Sequence, residues 1–400
     1  MPNQFLSPEG DLENYFVTDY WLIDQYVGDQ LWVWGSGGNS GALGNAQITD
    51  RSTPVTTFAG GTNWKQVGCG YRHTAVVKTD GTLWTWGNAT LGELGNAQIS
   101  TKSTPVTTFA GGTNWKQVSC GEYYTAAIKT DGTLWTWGNA SLGQLGNATT
   151  TNRSTPVTTF AGGNNWKQVS GGGGHIVAIK TDGTLWTWGR NNSGQLGTND
   201  TTTNRSTPVT TFAGGNNWKQ VSGGQLHTAA IKTDGTLWSW GAGANGKLGN
   251  AQLTDRYTPV TTFAGGNNWK QVACGQYNIT AIKTDGTLWV WGGGIRGVLG
   301  NGIITNASIS TPITTFAGGT NWKRVFCTSS PNPFMSAIKT DGTLWTWGYG
   351  LSGRLGNAQI TDRSTPVTTF AGGTNWKQVS SGGRIAVAVQ SGIDAQYPLS

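Results

Sequence analysis

Cysteine and histidine are scarce in this chain, with four of the one and three of the other in 400 residues. So few cysteines exclude the disulfide framework of a small secreted domain. No Cys-x-x-Cys or His-x-x-x-His spacing occurs, so no zinc site is expected. Charged residues make up only 11% of the chain. Six of the thirteen acids of its main body are single aspartates in Thr-Asp-Gly-Thr turns (Asp131, Asp182 and Asp234 among them), and no acid pair suits general acid–base work. No glycine-rich phosphate loop precedes a helix, and no segment has a helical period. An enzyme and a cofactor are therefore not expected. No apolar run approaches the roughly 18 residues of a membrane helix, so membrane insertion is not expected either. The first thirty residues lack the basic start and apolar stretch of a secretory signal, which leaves sequons such as Asn139-Ala140-Ser141 without the compartment they need.

Glycine and tryptophan are abundant instead, at 63 and 22. Glycine with little charge suits low complexity, but a disordered chain is poor in large aromatics. Each buried indole removes about 150–250 Å² from water, so these side chains can anchor a large core.

The tryptophans recur with a period of about 51 residues. Leu-Trp-x-Trp-Gly ends at Gly35, Gly87, Gly138, Gly189, Gly241, Gly292 and Gly348, and Asn-Trp-Lys recurs at Trp64, Trp115, Trp166, Trp218, Trp269, Trp322 and Trp376. Each unit reads as four short strands: Lys116–Ser119, Thr125–Lys129, Leu134–Trp137 and Pro156–Phe160 in one copy. Asp-Gly between the second and third is a hairpin signal. The two tryptophans of the third strand lie two residues apart and share a face of the sheet. Proline marks the fourth strand as an outer edge. Four strands repeated at this period are the signature of propeller blades. The chain enters the repeat at a third strand (Leu31–Trp34) and leaves after a second (Ala386–Gln390), so one blade combines both ends and closes the ring. The expected fold is all-β: a seven-bladed β-propeller over residues 31–392, preceded by an arm (1–30) and followed by a short tail (393–400).

Trp137-Gly138, then Gly143-Gln144-Leu145-Gly146, and Cys69-Gly70-Tyr71-Arg72-His73 form a pattern that resembles the regulator-of-chromosome-condensation repeat family. The resemblance covers residues 31–392 and implies the propeller fold. That family includes a nucleotide-exchange factor for a small GTPase, enzyme-inhibiting propellers and interaction modules of larger proteins, so it implies no single function.

Comparing the repeats with one another separates two faces. The distance from the proline of strand four to the next Asn-Trp-Lys tryptophan is always ten (Pro54 to Trp64, through Pro366 to Trp376). The distance from the end of strand two to the following Trp-Gly is always nine in the six intact copies. Length varies only in the loops between strands one and two and between strands three and four, which an up-and-down topology puts on one face. That variable face offers Tyr71, Arg72, Tyr123, Tyr124, Tyr277, Phe334 and Arg384 from the first kind of loop, and Arg190, Arg296 and Tyr349 from the second. Tyrosine and arginine are hot-spot residue types, and loops on a rigid scaffold carry function. On the opposite, fixed face, each repeat places a lysine at the start of strand one and usually at the end of strand two, thirteen in all, partly offset by six turn aspartates. Such lysines suit an anionic surface, or serve only to keep the protein soluble and guard sheet edges. His73, His175 and His227 share one repeat position and Cys69, Cys120, Cys274 and Cys327 another. Both sets read as structural.

Residues 1–30 hold six acids, no lysine or arginine, and the aromatics Tyr15, Phe16, Tyr20 and Trp21, against 26 basic and 13 acidic residues in the rest of the chain. Exposing such aromatics is costly, so the arm packs on its own propeller or docks into another protein. Near-identical tandem blades with a short aromatic anchor resemble accessory structural proteins of viruses, particularly bacteriophages. The first expectation is thus a non-enzymatic virion protein whose arm anchors it to capsid or tail proteins while the variable face meets a host-surface glycan or protein. The alternatives are a cytosolic regulatory propeller binding one protein partner, as an exchange factor or inhibitor does, and a carbohydrate-binding propeller. Nucleic acid is not an expected partner.

Overall fold

The computed structural model describes residues 28–200, 203–304, 307–329 and 331–392. They form seven four-stranded antiparallel sheets arranged as the blades of a propeller. Blade two shows the plan, with strands Trp64–Cys69, His73–Lys78, Leu83–Gly87 and Lys102–Thr107. Blades three to seven begin their first strands at Trp115, Trp166, Trp218, Trp269 and Trp322. Blade one takes strands Trp376–Ser381 and Ile385–Gln390 from the end of the chain and Gln30–Gly35 and Arg51–Thr56 from its beginning. The closing pair is regular from Gln30↔Gln390 to Gly35↔Ile385. The ring closure expected from the sequence is thus present, and no edge strand is left open along the joint.

The first strands are innermost and enclose an axial cavity of about 220 Å³. Side-chain amides stitch them together: Gln66 donates from Nε2 to the Val118 carbonyl at 2.8 Å and accepts from the Val118 N–H at 2.6 Å. The core lies between blades rather than within them. One cluster joins Ala75, Val77 and Leu83 of blade two to Trp115, Val118 and Trp137 of blade three.

Tryptophan spacing sets this packing. Trp115 reaches over the small Ala127 of the second strand and meets Trp135 and Trp137 edge-on, with centroids 6.4 and 6.1 Å apart. Both third-strand indoles therefore share the face that their spacing requires. Trp137 is fully buried, and its Nε1 donates to the Glu93 carbonyl of the preceding blade at 2.8 Å. The loop holding Glu93 turns on Gly95, where φ is +64° and a Cβ would come within 2.7 Å of the Trp137 ring. Glycine is thus required twice there, by conformation and by contact. The same bond carries the ring across the joint, from Trp34 Nε1 to the Arg354 carbonyl at 2.8 Å.

Candidate protein-binding face

The strand pairing places the one-to-two and three-to-four loops on one face, and the two-to-three turns and interblade links on the other. On the variable face the one-to-two loops are laced together. The Tyr71 N–H donates to the Glu122 carbonyl at 3.1 Å, Gly173 to Gly224 at 3.0 Å, and Gln225 to Gly275 at 3.2 Å. Each of these loops is therefore tied by its backbone to the same loop of the next blade.

This lacing brings four of the named residues together. Tyr71 of blade two meets Tyr123 of blade three edge-on at 5.7 Å. Arg72 and Arg384, the latter from blade one, lie against the Tyr71 ring at 5.1 and 5.4 Å. Arg384 Nη2 also donates to the Tyr71 hydroxyl at 3.4 Å. All four side chains are half-buried. Burial raises the Tyr71 phenol, but the hydrogen bond and charge of Arg384, joined by Arg72, outweigh it and hold the group below its ordinary value. Tyr123 moves the other way, raised by burial and by the neighbouring Glu122. Two adjacent phenols thus differ in acidity, with two guanidinium groups beside the more acidic one.

A second group forms where blades six and seven meet. Tyr349 is buried between Arg296 and Arg354, whose guanidinium carbons stand 4.4 and 4.5 Å from its ring. Arg296 pairs with Asp362 at 3.3 Å. Arg190 donates to Asn192 at 2.8 Å, and its charge partly offsets the burial that raises Glu122. Tyr277 is half-buried, takes a hydrogen bond from Gln276 at 2.8 Å, and lies 5.8 Å from Lys247. These residues frame the face without joining the Tyr71 group.

Tyr124 and Phe334 do not reach the surface, contrary to their expected display on this face. Each is the first residue of a second strand and fully buried. They occupy the ring position of His73, His175, His227, Asn278 and Ile385, all equally buried. The side chains at this position turn inward and join blades. The Tyr124 hydroxyl donates to the carbonyls of Gly172 at 3.0 Å and His175 at 2.5 Å, and His73 Nε2 meets Thr125 Oγ1 at 3.0 Å. Strand alternation explains the reversal, since the preceding residues Tyr123 and Arg72 point outward. Burial lowers His73 to about 4 and His175 to about 3, so both are neutral in the fold. Cys69, Cys120 and Cys274 are buried free thiols, Cys327 is a half-buried one, and burial pushes Cys69 up to about 12. Arm residues Tyr15, Phe16, Tyr20 and Trp21 lie outside the described residues.

Sequence reasoning missed Arg354. It fills the variable position of the Gly-x-Leu-Gly motif, which reads Ala42, Glu93, Gln144, Gln195, Lys247, Val298 and Arg354 around the ring, all buried. Charges at three copies of a position that is apolar in two others were the available signal.

The thirteen fixed-face lysines divide in two. Each of the six that end second strands is held over two indoles, as Lys129 is 4.8 Å from both Trp115 and Trp135. These six cap the tryptophan pairs through cation–π attraction. The seven in first strands are exposed.

Comparison with known proteins agrees with this architecture. The family model described as the RCC1-like domain matches residues 29–390. The chain is 30% identical over 336 residues to the ultraviolet-B receptor UVR8 of Arabidopsis thaliana, covering 81% of this chain and 74% of that protein. It is 28% identical over 323 residues to the mitochondrial RCC1 domain-containing protein RUG3 of the same plant, covering 75% and 69%. Among solved structures, Prp20p from Saccharomyces cerevisiae superposes with a TM-score of 0.78 over 95% of each chain, and at 18% identity that likeness is one of fold. A family model spanning the whole ring, and a relative of this identity and coverage, place the chain in the RCC1-like domain family.

Proposed function

We propose that this chain is a non-enzymatic regulatory propeller that binds one protein partner through its variable face, centred on Tyr71, Arg72, Tyr123 and Arg384. The observation that carries the reading is the convergence of these four half-buried side chains from three adjacent blades. Aromatic and arginine side chains held rigid by their neighbours lose little entropy on binding and make the strongest interface anchors. The relatives support the same reading. One is named as a receptor, and Prp20p is a protein with binding properties toward Gsp1p and histones. They favour the regulatory alternative over the virion reading, which rests on the arm and on the likeness of the blades, and over the glycan reading, which rests on the aromatics of the variable face. Among the described residues, no helix is long and apolar enough to cross a membrane.

The test is co-purification of the full chain from its native source, with mass spectrometry of what accompanies it, beside a double variant Tyr71→Ala/Arg384→Ala. The reading expects one protein to accompany the native chain in stoichiometric amount and to be lost from the variant. A partner retained by the variant, or a set of capsid or tail proteins in its place, would overturn it.

A further inference from the structure

The fixed face carries two concentric features that the variable-face reading does not use. Lys65 and its six counterparts, each the second residue of an innermost strand, surround the axis at this end of the channel, all exposed. Among the described residues only Lys377 of these seven has an ion pair, with Asp29 at 2.6 Å. Arg324 replaces the glutamine of the other blades and adds an eighth cation. The six turn aspartates on this face are engaged elsewhere: Asp80 accepts from both the N–H and the hydroxyl of Thr82, and its counterparts repeat the pattern. Farther out, the interblade links expose Phe58 and its six counterparts, each 66–73% accessible. Seven such side chains on one face exceed the scattered apolar exposure of an ordinary surface.

We infer that this face is a docking surface for the chain's own N-terminal segment, residues 1–27, whose carboxylates pair with the lysine ring and whose aromatic side chains cover Phe58. Three observations select this occupant. The described chain begins on this face: the Asp29 N–H donates to the Thr62 carbonyl at 2.6 Å, and Asp29 bridges to Asn63 in the link that also holds Phe58. Asp29 already sits on the ring through Lys377, so the segment starts with one contact made. The segment itself supplies Glu9, Asp11, Glu13, Asp19 and Asp24, no opposing lysine or arginine, and the aromatics Tyr15, Phe16, Tyr20, Trp21 and Tyr26. Asp24 lies five residues from Asp29, a span of up to about 17 Å, and the innermost strand that carries Lys377 packs directly against the one that carries Lys65. An anionic membrane or nucleic acid fits less well, because the acidic segment emerging at the ring would repel it.

The experiment is hydrogen exchange of the full chain at low salt, paired with carbodiimide cross-linking, which joins a carboxylate to an amine only in direct contact. A peptide spanning Asp19–Val27 is expected to exchange at least tenfold more slowly than a free peptide. Asp19 or Asp24 should cross-link to Lys65, Lys116 or Lys377. Both signals should vanish in the triple variant K65E/K116E/K377E. Because the substituted lysines are exposed, the fold should persist. A second variant, Asp19→Asn/Asp24→Asn, removes the attraction without touching the propeller and should lose protection to the same degree. Exchange of the segment at free-peptide rates would overturn the inference. So would cross-links found only between isotopically distinct copies of the chain, or binding of phosphatidylserine vesicles with the segment unprotected. None of these outcomes depends on the variable-face partner, so the two readings fail separately.

Discussion

The two faces of this ring invert the usual link between exposure and sequence variation. On the fixed face the most exposed large side chains, Phe58 and its counterparts, are phenylalanine in every blade. On the variable face the first residue of strand two changes among histidine, tyrosine, asparagine, phenylalanine and isoleucine, yet it is buried in all seven blades. Variation under the variable face therefore reaches into the core, where five kinds of side chain pack the seven blade joints. In the one-to-two loops, surface variation falls on the residues just before it, such as Tyr71-Arg72, Glu122-Tyr123 and Gly173-Gly174.

The sharpest way to break this division is to substitute neighbours that fall on opposite sides of it. Tyr124→Ala removes a fully buried ring and its two hydrogen bonds, and a cost of about 3–5 kcal/mol in unfolding free energy is expected. Tyr123→Ala, one residue away, should cost less than about 1 kcal/mol. Urea unfolding of the two variants decides the matter, and equal losses would mean that the outward residue is also structural. Partner binding comes next in size. Tyr71→Ala should weaken the complex by about thirtyfold, near 2 kcal/mol, with unfolding almost unchanged. Titration calorimetry with the purified partner would show this, and an unchanged Kd would move the binding site off this cluster.

The buried histidines give a smaller effect with a definite sign. The free imidazole takes up its proton near pH 6.5, but burial holds His73 near 4 and His175 near 3. The unfolded chain then binds more protons than the folded one below pH 6.5. Stability is full above that pH and is lost as the pH falls toward 4. Each such histidine should cost about 1.4 kcal/mol by pH 5.5. His73→Phe, which copies the residue of blade seven at this position, should make the urea midpoint fall less steeply between pH 8 and 5.5. An identical slope would show that His73 is protonated in the fold.

Most of the fold was legible because it is written seven times. The tryptophan period located every blade, and the unequal chain ends announced which strands close the ring. The orientation of single residues was harder to read. Tyr124 and Phe334 sit beside variable loop residues and look like them, and only alignment with His73 reveals that they begin a strand and turn inward. Arg354 was hidden for another reason. Its loop folds back against the next blade's Trp34, a long-range contact that no local pattern encodes. The four-residue cluster around Tyr71 was legible in its members but not in its assembly, which depends on backbone bonds between loops of different blades.

The lysines test the comparison on its finest scale, because two of them lie on the same face with the same charge and different surroundings. Lys78 lies 4.5 Å from the Trp64 ring and 4.7 Å from the Trp84 ring, so its ammonium group is attracted by two indole faces. Lys65 is exposed and has no ion pair among the described residues. Lys78→Ala should therefore cost about 0.5–1 kcal/mol, and Lys65→Ala should change unfolding by less than about 0.5 kcal/mol. Blade one supplies an internal reference, since Gln390 stands where the other blades have lysine, held through Asn375 at 2.8 Å. Lys78→Gln should then recover part of the loss by retaining the side-chain stem over the rings but not the charge. If alanine at 65 and at 78 proved equally harmless, the stacked lysines would be no more than solubilising charges, and the fixed face would owe nothing to cation–π attraction.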